Sequence, residues 1–359
     1  MVTIKDIAVL ANVSVGTVDR VIHNRSGVSI KTKKRIEQIL KENNFKLNMI
    51  ARSLALKKNQ HIAVLIPDSD VDNLFWNSPL MGIQKAIDEV ASFGITVKSF
   101  LFDQMDSDSY LNQFENLINT NPDAVIFSPF FTTETAKIVS ELDKKDIPYI
   151  FLNIDVEGYN NSAFIGQDSY KSGYLVGKLM SLCCKENDTI LIPHIGSKKY
   201  NNLVIENRIK GFQDYYKDNK IQFKKKEVKF EDMKNLQVIS KTLNELLEKD
   251  STIRGVWIPS SRIATICSCI DSDKLKNLKL IGFDTTPQNI ECLKNDEVTF
   301  LISQKSFNQG YQSIKILTDL LIQNEIPSRK IYSPIEIITK ENLEFSQRNK
   351  KEFSSLAKA

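Results

Sequence analysis

The sequence predicts an α/β chain in two unequal parts. A small all-α head is joined by a hinge helix to a two-lobed body of doubly wound parallel sheets. Three observations predict it. Apolar residues near the N-terminus recur at helical spacing. From His61 onward, short apolar runs alternate with longer segments of helical pattern, the rhythm of strand–helix units in parallel sheets. The runs are too many for one small doubly wound sheet, so the 359-residue chain calls for two lobes with a cleft between them.

In the head, Ile4, Ile7, Ala8 and Ala11 follow the i, i+3, i+4, i+7 spacing of one buried helix face. Val18, Val21 and Ile22 repeat it on a second helix. Asn12 suits the turn between them, and Ser14 can cap the second helix by accepting from a free amide two or three residues on. Two crossed helices this short bury little, so a third must close the core; Ile36, Ile39 and Leu40, after Ser29, supply it. This is a helix-turn-helix arrangement, whose second helix lies in a DNA major groove. Charge agrees. Residues 1–60 hold 12 Lys+Arg and 4 Asp+Glu, a balance of +8, while the remainder holds 36 and 40, a balance of −4. A basic head on a mildly acidic body implies a polyanion partner for the head alone. Lys31, Lys33, Lys34 and Arg35 open the third helix as candidate phosphate contacts, although a solvated helix end would have the same composition.

Residues 48–58 have helical composition but are few. An isolated helix of that length is marginal in water, so it needs DNA or a second copy to pack on. Strands are expected at 62–67, 95–102, 124–128, 149–153, 163–166, 189–193, 227–230, 255–259, 279–283 and 299–304, with a last one over 331–338. The expected domains are a head over 1–46, a hinge helix and linker over 47–60, and a body over 61–340. Within the body, lobe 1 is expected over about 61–160 and 300–328, and lobe 2 over about 161–299 and 329–340. Residues 341–359 read as a polar, frayed tail.

Hydrophobic content of 42% and charged content of 26% are those of a soluble globular protein. No apolar leader and no run of eighteen apolar residues is present, which points to the cytoplasm and away from a membrane partner. Cys183 and Cys184 are adjacent, Cys267 and Cys269 are one residue apart, and Cys292 stands alone. An odd count without framework spacing implies free thiols, and with no C-x2-C pair no metal site is expected. Enzyme readings fare poorly. There is no G-x-G, hence no dinucleotide fingerprint, and no phosphate-binding G-x4-G-K-[ST]. Nothing places His194 beside a serine nucleophile, and Gly173 and Gly177, inside a helical stretch, read as packing positions. No cofactor is expected. A secreted solute-binding protein would fit the body but not the basic head. A DNA binder that ignores small molecules would leave the cleft without a purpose.

The head resembles that of the LacI family of bacterial transcription regulators. The resemblance is carried by Thr3-Ile4-Lys5-Asp6-Ile7-Ala8, Val13-Ser14, Thr17-Val18, Arg20-Val21, Val28-Ser29, Thr32, Asn48, Ala51 and Leu54. The body is similar to periplasmic sugar-binding proteins of the ribose-binding type, through Gly211-Phe212, Gly282-Phe283-Asp284 and Pro287. The resemblance implies a homodimer, with a tetramer left open, on double-stranded operator DNA of pseudo-palindromic sequence. Repression is its commoner outcome. It implies that Ser14, Val15, Gly16, Thr17 and Arg20 face the groove or its phosphates, with Thr3, Ser29 and Thr32 alongside. It also implies that a hinge helix through Asn48, Ala51 and Leu54 folds on DNA, Leu54 wedging into the minor groove. Arg20 suits a bidentate contact to guanine, and Val15 a thymine methyl. Two positions depart from the family. Asp19 stands where serine is usual, and a carboxylate there must accept from a cytosine amine or pair with Arg20 or Arg25. Leu47 replaces the usual proline.

Ligands of open α/β sheets bind beyond the carboxyl ends of the strands. That rule selects Phe75 and Trp76 after the first strand, Asn153 after the fourth, then Ser260, Ser261 and Arg262, Asp284, and Gln304. Aromatic faces with recurring polar groups suit a hydroxyl-rich, sugar-like effector. The resemblance adds Arg208. Asn153-Ile154 replaces the Asp-Arg of ribose-type binders, which argues against ribose. Arg208 and Arg262 leave room for a carboxylate or phosphate on the ligand.

Overall fold

The computed structural model describes residues 2–22, 25–43, 45, 59–69, 74–195, 202–231 and 235–346. The hinge residues Asn48, Ala51 and Leu54 lie outside this set, as do Leu47 and Asn73.

The head is three helices, α1 (Ile4–Leu10), α2 (Val15–Ile22) and α3 (Ile30–Glu42). Each begins at a hydroxyl cap. Thr3 Oγ1 accepts from the Asp6 amide while the Asp6 carboxylate accepts from the Thr3 amide. Ser14 Oγ accepts from the Thr17 amide, and Ser29 Oγ from the Thr32 amide. Asn12 makes the turn with φ of 48°, a left-handed conformation that asparagine adopts at low cost. Ile7, Ala8, Ala11, Val18, Val21 and Ile36 form the core, flanked by Ile4, Ile22, Ile39, Leu40 and Phe45.

The first lobe contains β1 (Gln60–Pro67), α4 (Asn77–Val90), β2 (Ile95–Phe102), α5 (Ser107–Ile118), β3 (Ala124–Phe127), α6 (Thr132–Lys144), β4 (Tyr149–Leu152) and β5 (Ala163–Gly166). The chain then crosses to the second lobe. There it forms α7 (Ser169–Cys183), β6 (Thr189–Ile195), α8 (Leu203–Asp218), β7 (Lys224–Phe230), α9 (Leu236–Lys249), β8 (Ile253–Trp257), α10 (Ile263–Ser268), α11 (Ser272–Leu275), β9 (Lys279–Phe283), α12 (Pro287–Lys294) and β10 (Phe300–Ser303). It returns to the first lobe for α13 (Ser306–Gln323) and β11 (Lys330–Tyr332), and ends in the second with β12 (Glu336–Ile338). The sheets are ordered β11-β5-β4-β3-β1-β2 and β12-β10-β9-β8-β6-β7. Their pairings are parallel except β10 with β12. The strands read as apolar runs because both faces are covered. Ile62, Val64 and Ile66 of β1 pack under α4 and α13, while Ala63 and Leu65 face α5 and α6.

The two sheets share one strand order and differ only in the direction of the edge strand, β11 parallel and β12 antiparallel to its neighbour, so the body is an internal pair. Its helix crossings match too. A side chain at Gly82 of α4 would strike the Phe307 carbonyl, and one at Gly310 of α13 the Pro79 carbonyl. In the second lobe, Gly173 of α7 faces the Arg208 carbonyl and Gly211 of α8 the Tyr170 carbonyl. Gly173 and Gly177 are therefore packing positions, as their sequence context implied.

Three expectations are corrected. Lobe 1 does not stop near residue 160 or regain the chain at 300, nor does lobe 2 hold all of 329–340. β5 pairs with β4 and β11, which places it in the first sheet, and β10 pairs with β9 in the second. The crossovers lie at Gln167-Asp168, Gln304-Lys305 and 333–335. They run side by side, and Gln167 Nε2 donates to the Ser303 and Pro334 carbonyls at 3.1 and 3.3 Å. Secondly, 331–338 is not one strand. It breaks at Ser333-Pro334, and its halves join different sheets. Thirdly, the tail does not begin at 341: Leu343 is buried in the second lobe's core, where Asn342 donates to the Ile337 carbonyl.

Candidate functional site

On the head, the described residues singled out for DNA are all at least partly exposed. Thr3, Ser14, Val15, Gly16, Arg20 and Ser29 are exposed, and Thr17 and Thr32 partly so. Ser14 and Thr17 share a hydroxyl–hydroxyl bond of 2.9 Å, and Ser29 and Thr32 one of 2.8 Å. Within each pair one proton serves the bond, which leaves the other hydroxyl a proton to donate outward. Asp19 pairs with Arg25 at 3.3 Å. Val15 is 46% exposed on a helix whose inner face is otherwise buried. A Cβ at Gly16 would meet only Ser14 Oγ, at 3.8 Å.

In the body, Phe75, Trp76, Asn153, Arg208, Ser260, Ser261, Arg262, Asp284 and Gln304 line one cavity of about 160 Å3 between the lobes. That is below the roughly 300–1,000 Å3 of drug-sized pockets and suits a compact ligand. Phe75 and Trp76 sit in a 3-10 turn (Leu74–Trp76), rings edge to face at 5.1 Å, both inserted in the first lobe's core while bordering the cavity. They brace the loop and form a wall together.

The polar centre is built from twin positions. Asn153 follows β4 and Asp284 follows β9, the third strand of each sheet. Both are left-handed, with φ of 69° and 70°. Each amide donates to the neighbouring strand, Asn153 to the Ile165 carbonyl at 2.8 Å and Asp284 to the Ile302 carbonyl at 2.9 Å. Gln304, at a crossover, joins them. Its Nε2 donates to both Asp284 oxygens at 3.1 and 3.0 Å, and its Oε1 accepts from Asn153 Nδ2 at 3.4 Å. Gln309, fully buried, holds the Gln304 carbonyl at 2.9 Å. A polar chain thus runs from one lobe to the other through a hinge residue.

Arg208, on α8, is 3% exposed. Its Nη1 donates to the Pro259 carbonyl at 2.8 Å, and its guanidinium lies 3.6 Å from the Phe283 ring centroid. Its buried Nε has no hydrogen-bond partner among the described residues. Burial lowers its pKa to about 10, with the charge of Asp284 acting the other way, so it stays cationic at neutral pH. Strand-end reading missed Gln104 and Phe130, which also line the cavity. They follow β2 and β3, so the same rule applied to every strand would have found them. Asn202, capping α8, had no such signal.

A DNA-reading helix-turn-helix on a two-lobed body with a polar interlobe cavity defines a ligand-responsive DNA-binding regulator. Comparison with known proteins gives the family. The model described as bacterial regulatory proteins, lacI family, matches residues 3–48, and that described as periplasmic binding protein domain matches 62–325. The chain belongs to the LacI family of bacterial regulatory proteins, with a periplasmic-binding-protein body, and is a DNA-binding transcription regulator. It is 23% identical over 352 residues to the ribose operon repressor of Lactococcus lactis, covering 96% of this chain and 98% of that one. It is 27% identical over 290 residues to the transcriptional regulator MalR of Streptococcus pneumoniae, covering 79% and 84%. Among solved structures, a LacI transcriptional regulator from Bacteroides fragilis superposes with a TM-score of 0.73 at 27% identity, covering 80% of this chain and 99% of that one. The glucose-galactose binding protein GanP of Geobacillus stearothermophilus shares the fold, with a TM-score of 0.69 at 20% identity and 80% and 99% coverage. Among the described residues, no helix is long and apolar enough to cross a membrane.

Proposed function

We propose that this protein is a cytoplasmic, homodimeric operator-binding repressor whose DNA affinity is set by a small sugar-like effector in the interlobe cavity. The observation that carries the reading is the Asn153–Gln304–Asp284 chain, which links both lobes through a hinge residue beside the buried Arg208. A ligand that engages both ends of it favours one lobe arrangement over another. It acts through nothing but its differential affinity for the two arrangements. The hinge segment, with Asn48, Ala51 and Leu54, would transmit the change to the heads. The name of the ribose operon repressor, and the sugars in the name of GanP, support a carbohydrate class. The replacement of Asp-Arg by Asn153-Ile154 argues for a ligand other than ribose, and the unpartnered Arg208 Nε favours one carrying an acceptor, a ring oxygen or a carboxylate. The domain division we propose is a head to residue 46, a hinge to 59 and a body from Gln60, with lobes exchanged at the three crossovers.

The test is thermal stabilisation of the full-length protein against a panel of pentoses, hexoses, polyols, sugar acids and sugar phosphates, read beside binding to DNA recovered by genome-wide mapping of occupied sites. One class should raise the melting temperature and shift DNA affinity in the same concentration range. Stabilisation by none of them, with DNA affinity insensitive to all, would sink the sugar reading while leaving the DNA-binding assignment in place.

A further inference from the structure

Cysteine spacing alone gave no reason to expect a metal site, since Cys267 and Cys292 lie on separate helices. The fold brings them together. Cys267 is in α10 and 4% exposed, and Cys292 is in α12 and half-buried. Glu297, in the turn after α12, completes the group. The two Sγ atoms and a Glu297 carboxylate oxygen all lie within 4.8 Å of one another.

A thiol pair at the edge of an apolar core is ordinary packing by itself. The carboxylate is not. Glu297 is half-buried beside two sulfurs, and among the described residues its side chain has no hydrogen bond and no ion pair. Its carboxylate oxygens still reach solvent, so an ion can approach them from that side. A cation would supply the partner. Tetrahedral Zn2+ with Zn–S near about 2.3 Å places sulfur donors roughly 3.8 Å apart, so closing this triad needs side-chain adjustments of about an ångström. Cys267 would enter from the core, and the half-buried Cys292 and Glu297 leave a solvent side for ion entry and a fourth, water ligand.

We propose that Cys267, Cys292 and Glu297 form a binding site for a single thiophilic divalent cation of the Zn2+ class. Two thiolates with one carboxylate suit Zn2+ better than hard cations such as Mg2+ or Ca2+. Binding releases the two thiol protons to solvent and leaves no redox change. The site is at the back of the effector cavity's wall. α10 follows Ser260, Ser261 and Arg262, and α12 begins three residues after Asp284. Asn289 already ties the front of the two helices. Its Nδ2 donates to the Ser261, Phe283 and Asp284 carbonyls at 2.9, 2.9 and 3.1 Å, and its Oδ1 accepts from the Ala264 amide at 3.2 Å. The cation would clamp the rear.

The experiment titrates reduced, chelator-treated full-length protein with Co2+ as the spectroscopic probe, then displaces it with Zn2+. One equivalent should produce thiolate-to-cobalt charge-transfer absorption that Zn2+ abolishes. Cys267→Ser and Cys292→Ser should each remove it, whereas a Cys183→Ser, Cys184→Ser double variant should keep it. Because a core Cys267→Ser variant can fail to fold, Glu297→Gln provides a second arm. It should melt as the wild type does without metal, yet bind Co2+ at least about tenfold more weakly, the loss that even outer-shell partners cause. Absence of the band in the wild type, its persistence in Cys292→Ser, or unchanged affinity in Glu297→Gln would overturn the proposal.

Discussion

Gly16 is the residue at which fold and function separate most cleanly. The space around it would accept a methyl group, and its backbone is helical, so nothing in the head's packing asks for glycine. Gly16→Ala should therefore stabilise the head, by up to about 1 kcal/mol from helix propensity. If α2 approaches DNA there, the same change should weaken operator binding; an affinity unchanged in gel-shift titration would remove Gly16 from the interface. Asp19 pairs with Arg25, one of the partners open to it. An exposed pair of this kind contributes about 0–1 kcal/mol to stability, so it adds little to the fold of the head. In the cavity, Asp284 is better tested with asparagine than with alanine. Asparagine tolerates the left-handed backbone and keeps the shape, so Asp284→Asn isolates the charge, whereas alanine adds roughly 1–2 kcal/mol of backbone strain. Asp284→Asn should abolish effector-induced thermal stabilisation and leave DNA binding intact. Equal stabilisation of the variant would show that the ligand sits elsewhere.

At the scale of elements, the glycine pairs decide how closely helices cross. In each lobe two helices touch backbone to backbone, at Gly82 and Gly310 in one and Gly173 and Gly211 in the other. Gly173→Ala drives a methyl into the Arg208 carbonyl. Overpacking of this kind costs about 1–3 kcal/mol, and the shift would displace Arg208 from the cavity. The melting temperature should fall, and effector affinity should fall by more than lost stability alone explains. Elements of the head were legible in the sequence because their causes are local: a helical period, a hydroxyl cap, an asparagine at the turn. The strands were legible for a similar reason, as apolar runs covered on both sides. The assignment of strands to lobes was not legible. β5 reads the same in isolation whichever sheet accepts it, and β11 and β12 look like one strand until their partners are known. The cavity shows the same division. Residues at strand ends followed from a topological rule, but Arg208 came from family resemblance, and the Cys267–Cys292–Glu297 group could not be read from spacing at all.

At the scale of the whole molecule, charge separates two kinds of binding. Head and hinge together, residues 1–60, carry a balance of +8 against −4 on the rest. Operator affinity should fall by about 10³–10⁵ between 50 and 200 mM salt, as 6–10 phosphate contacts require. Effector affinity, set in a sheltered cavity by hydrogen bonds, should change little over that range. Parallel salt titrations of the two equilibria would expose any shared mode of binding. The three crossovers also order events as the chain is made. The head's contacts are short-range, so it can fold soon after synthesis begins. The first sheet, by contrast, waits for β11 and α13, and the second for β10 and β12. Neither lobe can be finished until almost the entire polypeptide has left the ribosome. The nascent protein therefore passes through a stage with a folded head and two incomplete sheets, whose open edges and uncovered apolar strands are the hazard that chaperones exist to shield.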